Sequence, residues 1–274
     1  MTCRKRAALL SSKRDSENVS VSDITEVMDV WDAEDEVMDC SQWERRRKRA
    51  RAYADILMLS EWMVQVPENF ATEWLLIVCP VGKRCAVVSS QGRTRSFARN
   101  GFEFLTKFPS LLPGGNGNAR GSAKQNAILD CIYSESEKTF FILDVILWNG
   151  VSFYGCETDF RFFWLDSKKN DLLQASEFST LNKFTFKQLP HFPCSKSQIT
   201  AALTDVSFAT GVSFTRCHFR SFLTRALSLF QVDGYLFLHR ECGYAAGVTP
   251  LAGWLKKEMV QDMLLQKDNK EGDL

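Results

Sequence analysis

Residues 127–150 read AILDCIYSESEKTFFILDVILWNG, and this stretch decides the class of fold. Two apolar runs rich in β-branched and aromatic residues flank a polar turn, and Asn149-Gly150 closes the second run. Apolar runs of this length between turn residues predict buried strands, and Asn-Gly is a strong hairpin signal. The stretch therefore predicts consecutive antiparallel strands.

Similar patterns extend this prediction in both directions. Further strands are predicted for EWLLIVCP (73–80), RCAVVSS (84–90), NKFTFKQLP (182–190) and VDGYLFLHR (232–240), with the tight turn PVGK between the first two. Helices are predicted for 53–63, 157–169 and 194–205, the last with Ser195 or Ser197 as its N-cap. Because no strand–helix–strand rhythm is present, the pattern predicts an α+β fold with mostly antiparallel sheets and flanking helices.

Composition excludes several classes of protein. Lys and Arg number 34 against 33 Asp and Glu, so net charge gives no general attraction to nucleic acid or membrane. No stretch approaches the ~20 apolar residues that span a bilayer. The nine cysteines are scattered without a C-x-x-C pair, and the three histidines lie far apart. We therefore expect reduced thiols in an intracellular compartment, with no metal and no cofactor.

Residues 1–52 differ in charge pattern from the rest of the chain. Basic residues between 4 and 14 precede the acid-rich stretch 23–39, and a basic run follows at 45–51. Such blocks rarely form a core, so we expect a largely disordered segment. A nuclear-localisation or transport-receptor address is the functional alternative. The globular domain is then expected over 53–265, with a tail at 266–274.

A group of cations follows the strand at 73–80. Lys83 and Arg84 lie in and after the PVGK turn, and Arg93, Arg95 and Arg99 follow a few residues later. Taken alone, Lys83 and Arg84 are typical of a solvated turn. If the two strands that carry the five cations pair, the cations line one wall, which suits a polyphosphate.

Two tryptophans could complete such a site. Leu59, Ser60 and Trp62 fall near the end of the predicted helix 53–63, and Trp254 lies in TPLAGWL. Each tryptophan alone favours a place in the core over a binding role. When the two tryptophans are considered with the cations, a site that stacks a base and pairs its phosphates becomes as favoured as a place in the core.

The order of these motifs is similar to that of the nucleotidyltransferases, which include RNA capping enzymes and ligases. Those enzymes carry a nucleophilic lysine in K-x-D-G, whereas Lys83 is followed by RCAVV without Asp-Gly. The resemblance implies the mRNA capping enzyme fold without its catalytic groups. The alternative is an enzyme for RNA capping or ligation that forms a lysyl-nucleotide at Lys83.

A closer resemblance is to the snurportins. LMLSEW, CPVGKR, SLLPGGN, ILDCIY, TDFRFFW, VDGYLF and TPLAGWL occur in the family's order over roughly residues 53–205 and 231–265. The resemblance implies a non-enzymatic adaptor that binds the 2,2,7-trimethylguanosine cap of spliceosomal small nuclear RNAs for import into the nucleus. It further implies shuttling between cytoplasm and nucleus, with importin-beta and an exportin as partners.

The resemblance also assigns roles within the site. Trp254 would stack on one face of the cap guanine, and Leu59 would cover the other face. Ser60, Trp62 and Cys79 would surround the base, and Lys83, Arg84 and Arg99 would meet the triphosphate, with Gly82 in the same turn. Arg99 stands where the family has lysine, which keeps the charge and changes the geometry.

The chain departs from the family in two places. RKRAALLSSKRDSEN (4–18) resembles only the end of the family's importin-beta-binding segment, which leaves importin-beta binding through it an open question. Residues 206–230 have no counterpart and are apolar and basic, so we expect an insertion there from a splice or gene-model variant. If it is buried, the insertion would disturb the sheet, and if exposed it would favour aggregation.

Overall fold

The computed structural model describes residues 52–117, 125–204 and 231–265. The strands are β1 (Met58–Trp62), β2 (Trp74–Pro80), β3 (Lys83–Ser90), β4 (Arg93–Ala98), β5 (Glu103–Phe108), β6 (Asn126–Ser134), β7 (Thr139–Trp148), β8 (Val151–Ser152), β9 (Thr185–Gln188), β10 (His191–Pro193), β11 (Val232–His239) and β12 (Gly247–Leu255). The helices are α1 (Phe70–Glu73), α2 (Thr158–Ser167), α3 (Lys169–Ala175), α4 (Lys196–Thr204) and α5 (Lys257–Val260), and a π-helical turn (Gln261–Leu265) follows the last.

The strands form two sheets. The first has the order β1-β12-β11-β2-β10, and the second has the order β5-β4-β3-β6-β7-β8, with β9 also paired to β7. Pairing is antiparallel except between β1 and β12 and between β7 and β9. The predicted α+β class with mostly antiparallel sheets is therefore confirmed.

The hairpins of the second sheet follow from the stretch 127–150. β6 and β7 pair antiparallel across a polar turn, as predicted. Asn149 and Gly150 then have φ angles of 50° and 77°, and β7 pairs with β8 on either side of them. A two-residue type I′ turn, whose twist matches that of the flanking strands, requires a positive φ at both central residues. Every residue of β7 is buried, because both faces of this strand are covered.

The helix predicted over 53–63 is wrong. Residues 58–62 form strand β1, and Ile56 and Leu57 are buried in the core. An isolated helix of this length is marginal in water, whereas the extended segment gains a parallel partner in β12. Tertiary pairing therefore outweighs the helical spacing of the apolar residues.

The turn between β2 and β3 carries the chain from the first sheet to the second. Val81 donates its backbone N–H to the carbonyl of Gln231 at 2.7 Å. A Cβ at Gly82 would lie 2.6 Å from both Ile132 Cγ2 and the carbonyl oxygen of Tyr133. Real Cβ contacts are not this short, so glycine is what lets the turn lie against β6.

The predicted helices over 157–169 and 194–205 correspond to α2 and α4. Ser195 is the N-cap of α4, because its side-chain oxygen accepts the N–H of Gln198 at 3.4 Å. No helix among the described residues is long and apolar enough to cross a membrane. The charged segment before residue 52, the expected insertion at 206–230 and the tail at 266–274 lie outside the described residues.

Candidate functional site

Two tryptophans lie side by side at one end of the first sheet. Trp62 of β1 is in register with Trp254 of β12, so both side chains project from the same face of the sheet. Trp62 is 55% exposed, and Trp254 is half-buried against the core. Large aromatic side chains are a common platform for planar ligands.

Ser60 lies two residues before Trp62 and lines a small cavity between the two sheets. Arg84 and Asp144 of the second sheet line the opposite side of the same cavity. Leu59 alternates with Ser60, so its side chain projects from the other face of β1, where it packs against the core. The expectation that Leu59 covers a bound base remains a prediction.

Cys79 lies deeper, in the middle of the first sheet. It is fully buried in β2 and is in register with Gly234 of β11. Burial raises the pKa of the Cys79 thiol to about 12, because the thiolate would lose its hydration. Cys79 therefore stays protonated at neutral pH and places no charge in the middle of the first sheet.

Arg84 is held in a fork by Asp130 of β6. Arg84 Nε donates to Asp130 Oδ1 at 2.5 Å, and Nη2 donates to Oδ2 at 2.7 Å. Burial opposes the charge on Arg84, but the carboxylate and its two hydrogen bonds outweigh burial and raise the pKa of the guanidinium. Arg84 is therefore a fixed cation between the sheets, and 28% of its side chain is exposed.

The same charged pair holds β1 in place. Arg84 Nη2 donates to the carbonyl of Met58 at 3.2 Å. Tyr244 accepts the Met58 N–H at 3.2 Å and donates its hydroxyl to Asp130 Oδ2 at 2.7 Å. The peptide groups of Met58 are thus held on both sides, and Met58 begins the strand that carries Ser60 and Trp62.

Asp130 and Tyr244 support the site, and no motif in the sequence pointed to either of them. An aspartate within the apolar run AILDCIY is a signal that could have found Asp130, because buried carboxylates are almost always paired. No comparable signal marks Tyr244, which lies in the irregular segment before β12. Its role follows only from the contact between the two sheets.

The remaining cations do not form the single wall predicted from the sequence. β3 and β4 do pair, but Arg93 lies opposite Ser90, at the far end of the pair from Arg84. Arg95 is buried and lies 3.5 Å from Glu103. The prediction is wrong for these two arginines. The length of the strands separates Arg93 from Arg84, and the alternation of side chains along β4 directs Arg95 into the protein interior.

Lys83 and Arg99 lie at the same end of the sheet as Arg84 but face different surroundings. Lys83 projects from the opposite face of β3, and its Nζ is 4.1 Å from the centre of the Phe104 ring. Arg99 follows β4, is 63% exposed, and lies 3.5 Å from Asp55. Both side chains are at the surface, whereas Arg84 is largely enclosed.

No group of three or more His, Cys, Asp or Glu side chains that could hold a metal occurs within residues 52–117, 125–204 and 231–265. Of the predicted site, Ser60, Trp62 and Trp254 share one face of the first sheet, and Arg84 lies across a small cavity from Ser60, with Cys79 buried in β2. We call this arrangement the tryptophan cleft.

A family model described as the Snurportin1 m3G cap-binding domain matches residues 56–257. The match covers well over half of the 274 residues, and the chain therefore belongs to this family. The matched range contains all nine residues that the sequence analysis assigned to the site.

Several solved structures of DNA ligases, which are nucleotidyltransferases, are also similar. A mycobacterial DNA ligase D complexed with ATP and MES is 16% identical over 73% of this chain and 60% of its own, with a TM-score of 0.44. The ligase domain of M. tuberculosis LigD is 15% identical over 73% of this chain and 59% of its own, with a TM-score of 0.42. The chain spans about three fifths of the length of these two proteins. Likeness at this level carries no information about activity.

Proposed function

We propose that the tryptophan cleft binds the 2,2,7-trimethylguanosine cap of small nuclear RNAs. The observation that carries the proposal is the pairing of Trp62 with Trp254 on the face that also carries Ser60, which lies across a cavity from the fixed cation Arg84. Methylation of the guanine imidazole nitrogen places positive charge on the base. An indole face attracts such a base by cation–π interaction in addition to stacking.

The surroundings of the tryptophans suit the other methyl groups of the cap. Two methyls on the exocyclic amine remove its hydrogen-bond donors, so recognition there depends on apolar contact and shape. The protonated thiol of Cys79 places no charge in the sheet beneath, and Ser60 supplies a single small hydroxyl. Neither group would leave a buried charge unpaired against a methylated base.

Cations at the edge of the cleft suit the triphosphate bridge. Arg84 uses Nε and Nη2 for Asp130 and Met58, and these hydrogen bonds hold its Nη1 in a fixed position. Lys83 and Arg99 contribute charge from the protein surface, where solvent and salt screen it. A fixed guanidinium is the better partner for phosphate oxygens, since less rotational freedom is lost on binding.

We infer further that the protein is a binding protein and not an enzyme. Lys83 lies at the surface over Phe104 and lacks a following Asp-Gly, which the lysyl-nucleotide chemistry of the related enzymes uses. By family resemblance we propose an adaptor that shuttles between cytoplasm and nucleus with importin-beta and an exportin. Import of a labelled capped RNA into permeabilised cells, with and without residues 1–51, tests that role.

The cap proposal is tested by titrating the protein with trimethylated, monomethylated and unmethylated cap dinucleotides and following heat or tryptophan fluorescence. We expect the trimethylated cap to bind at least about tenfold more tightly than the unmethylated one, because of the cation–π term. Equal affinity for the trimethylated and monomethylated caps, or no binding of either, would overturn the proposal. A parallel incubation with labelled GTP and Mg²⁺ should leave no acid-labile adduct on Lys83, and such an adduct would favour the enzyme.

Arg99→Ala should weaken cap binding by up to about tenfold at low salt and reduce its salt dependence, because one cation near the phosphates is lost. Asp55→Asn is the matched control. It removes the carboxylate 3.5 Å from Arg99 and should leave affinity unchanged or raise it. Isothermal titration at several salt concentrations measures both effects. Equal weakening by the two variants would mean that the ion pair supports structure and not the ligand.

A further inference from the structure

Gly234 lies directly against the indole of Trp254. A Cβ added at Gly234 would be 2.4 Å from Cζ2 and 2.8 Å from Cε2 of that ring. These distances are shorter than real Cβ contacts, so the ring occupies the space that any other residue would need. The contact joins β11 to β12 at the end of the sheet where the tryptophan cleft opens.

Backbone conformation does not require glycine here. Gly234 lacks the positive φ of residues such as Gly150 and Gly247, and it lies in β11 directly after an irregularity in the pairing of that strand with β2. Its φ angle is therefore open to any residue. What excludes a side chain is the close approach of Trp254, together with the carbonyl oxygen of Leu255 at 2.8 Å from the added Cβ.

The neighbours of Trp254 explain why this space matters. On its face of the sheet, Trp254 lies between Trp62 on β1 and Leu236 on β11. Gly234 is two residues from Leu236 and therefore on the same face. The indole extends into the gap beside Leu236, and the missing side chain at position 234 lets the ring lie against the backbone.

We propose that Gly234 is a positioning residue for cap recognition, because it sets the place of the Trp254 ring against the sheet. The inference rests on the proposed cap-binding function and deepens it. To reach an ordinary contact of 3.4 Å or more, a ring facing a side chain at 234 would have to move by about 1 Å. A displaced ring no longer meets a base whose other contacts are fixed, since Arg84 and β1 do not move with it.

Gly234→Ala should therefore lower affinity for the trimethylated cap dinucleotide by about tenfold, within the range that base stacking contributes. The same substitution is then made in a Trp254→Phe protein. Phenylalanine lacks the second indole ring, which contains the Cζ2 atom that a Cβ at position 234 would meet. In that background Gly234→Ala should change affinity by less than about twofold. Gly253→Ala is the control: its closest contact would be the flexible end of Met63, at 2.5 Å, and affinity should stay within about twofold.

Cap binding and the positioning role of Gly234 are contradicted by different results. If the wild-type protein does not bind the methylated cap, the proposed function fails. If it binds and Gly234→Ala binds equally well, or weakens binding equally in both backgrounds, the positioning role of Gly234 is overturned, and equal weakening identifies the Leu255 carbonyl as the cause. Should Gly234→Ala be folded but too unstable to titrate, the melting temperatures of the same four proteins answer the question without ligand. A smaller loss in the Trp254→Phe background supports the contact, and an equal loss overturns it.

Discussion

Trp254→Ala is expected to lower affinity for the trimethylguanosine cap by about 100-fold, the largest effect on binding of any single substitution in the cleft. Stacking of a base on an aromatic ring contributes ~1–3 kcal/mol, and the cation–π term adds ~1–2 kcal/mol for a methylated, positively charged base. The ring is half-buried and held between Trp62 and Leu236, so little conformational freedom is lost when the base binds.

Fluorescence or calorimetric titration measures this effect, and the ligand series gives it an internal control. The loss should be smaller for the unmethylated cap dinucleotide, because that base carries no positive charge. Trp254→Phe should retain part of the affinity, since a smaller aromatic face remains. Trp164 on α2 offers a matched control elsewhere in the protein, and Trp164→Ala should leave the ratio of affinities for the caps unchanged. A Trp254→Ala protein with wild-type affinity would show that the ring is only part of the core.

Asp130→Asn is expected to reduce the free energy of unfolding by about 3 kcal/mol, because it leaves the Arg84 guanidinium enclosed without its countercharge. Asp130 is fully buried and also accepts the hydroxyl of Tyr244. The substitution keeps the shape of the side chain and removes its charge. Because the same network holds Met58 at the start of β1, affinity for the cap should fall as well.

Urea unfolding measures the stability change, and Asp159→Asn is the control for loss of a carboxylate. Asp159 is about half exposed and pairs with Arg240 at 2.9 Å. An exposed pair contributes ~0–1 kcal/mol, so its removal should barely move the midpoint. Similar small losses from both variants would show that solvent, and not Asp130, compensates the charge on Arg84.

Much of the fold could be predicted from local patterns. Five predicted strands are apolar runs bounded by turn residues, and the structure confirms them as largely buried strands: β2, β3, β6, β7 and β11. β1 was missed because MLSEW is half-buried at the edge of a sheet, and its strand conformation depends on a partner almost two hundred residues away. Pairing between residues so far apart in the sequence leaves no periodic pattern of apolar residues within the strand itself.

Some site residues could likewise be predicted from the sequence, and others could not. Trp62, Trp254 and Arg84 could be selected from residue type and order, and the structure puts the two tryptophans in register on the face that carries Ser60, which shares a cavity with Arg84. Arg93 and Arg95 looked equivalent to Arg84 because sequence distance does not reveal which end or face of a strand a side chain occupies. Asp130 and Tyr244 were missed because their importance lies in contacts between the sheets.

The sequence by itself determined the antiparallel hairpins, through the apolar runs and the Asn149-Gly150 turn, and the motifs that resemble the family. Only the tertiary structure decided that Arg84 is held by Asp130, that Lys83 projects from the opposite face, and that Gly234 makes room for Trp254. The physical reason is that turns and strands depend on neighbours along the chain. The position of a ring or a charge depends instead on which residues the packed sheets bring within contact distance.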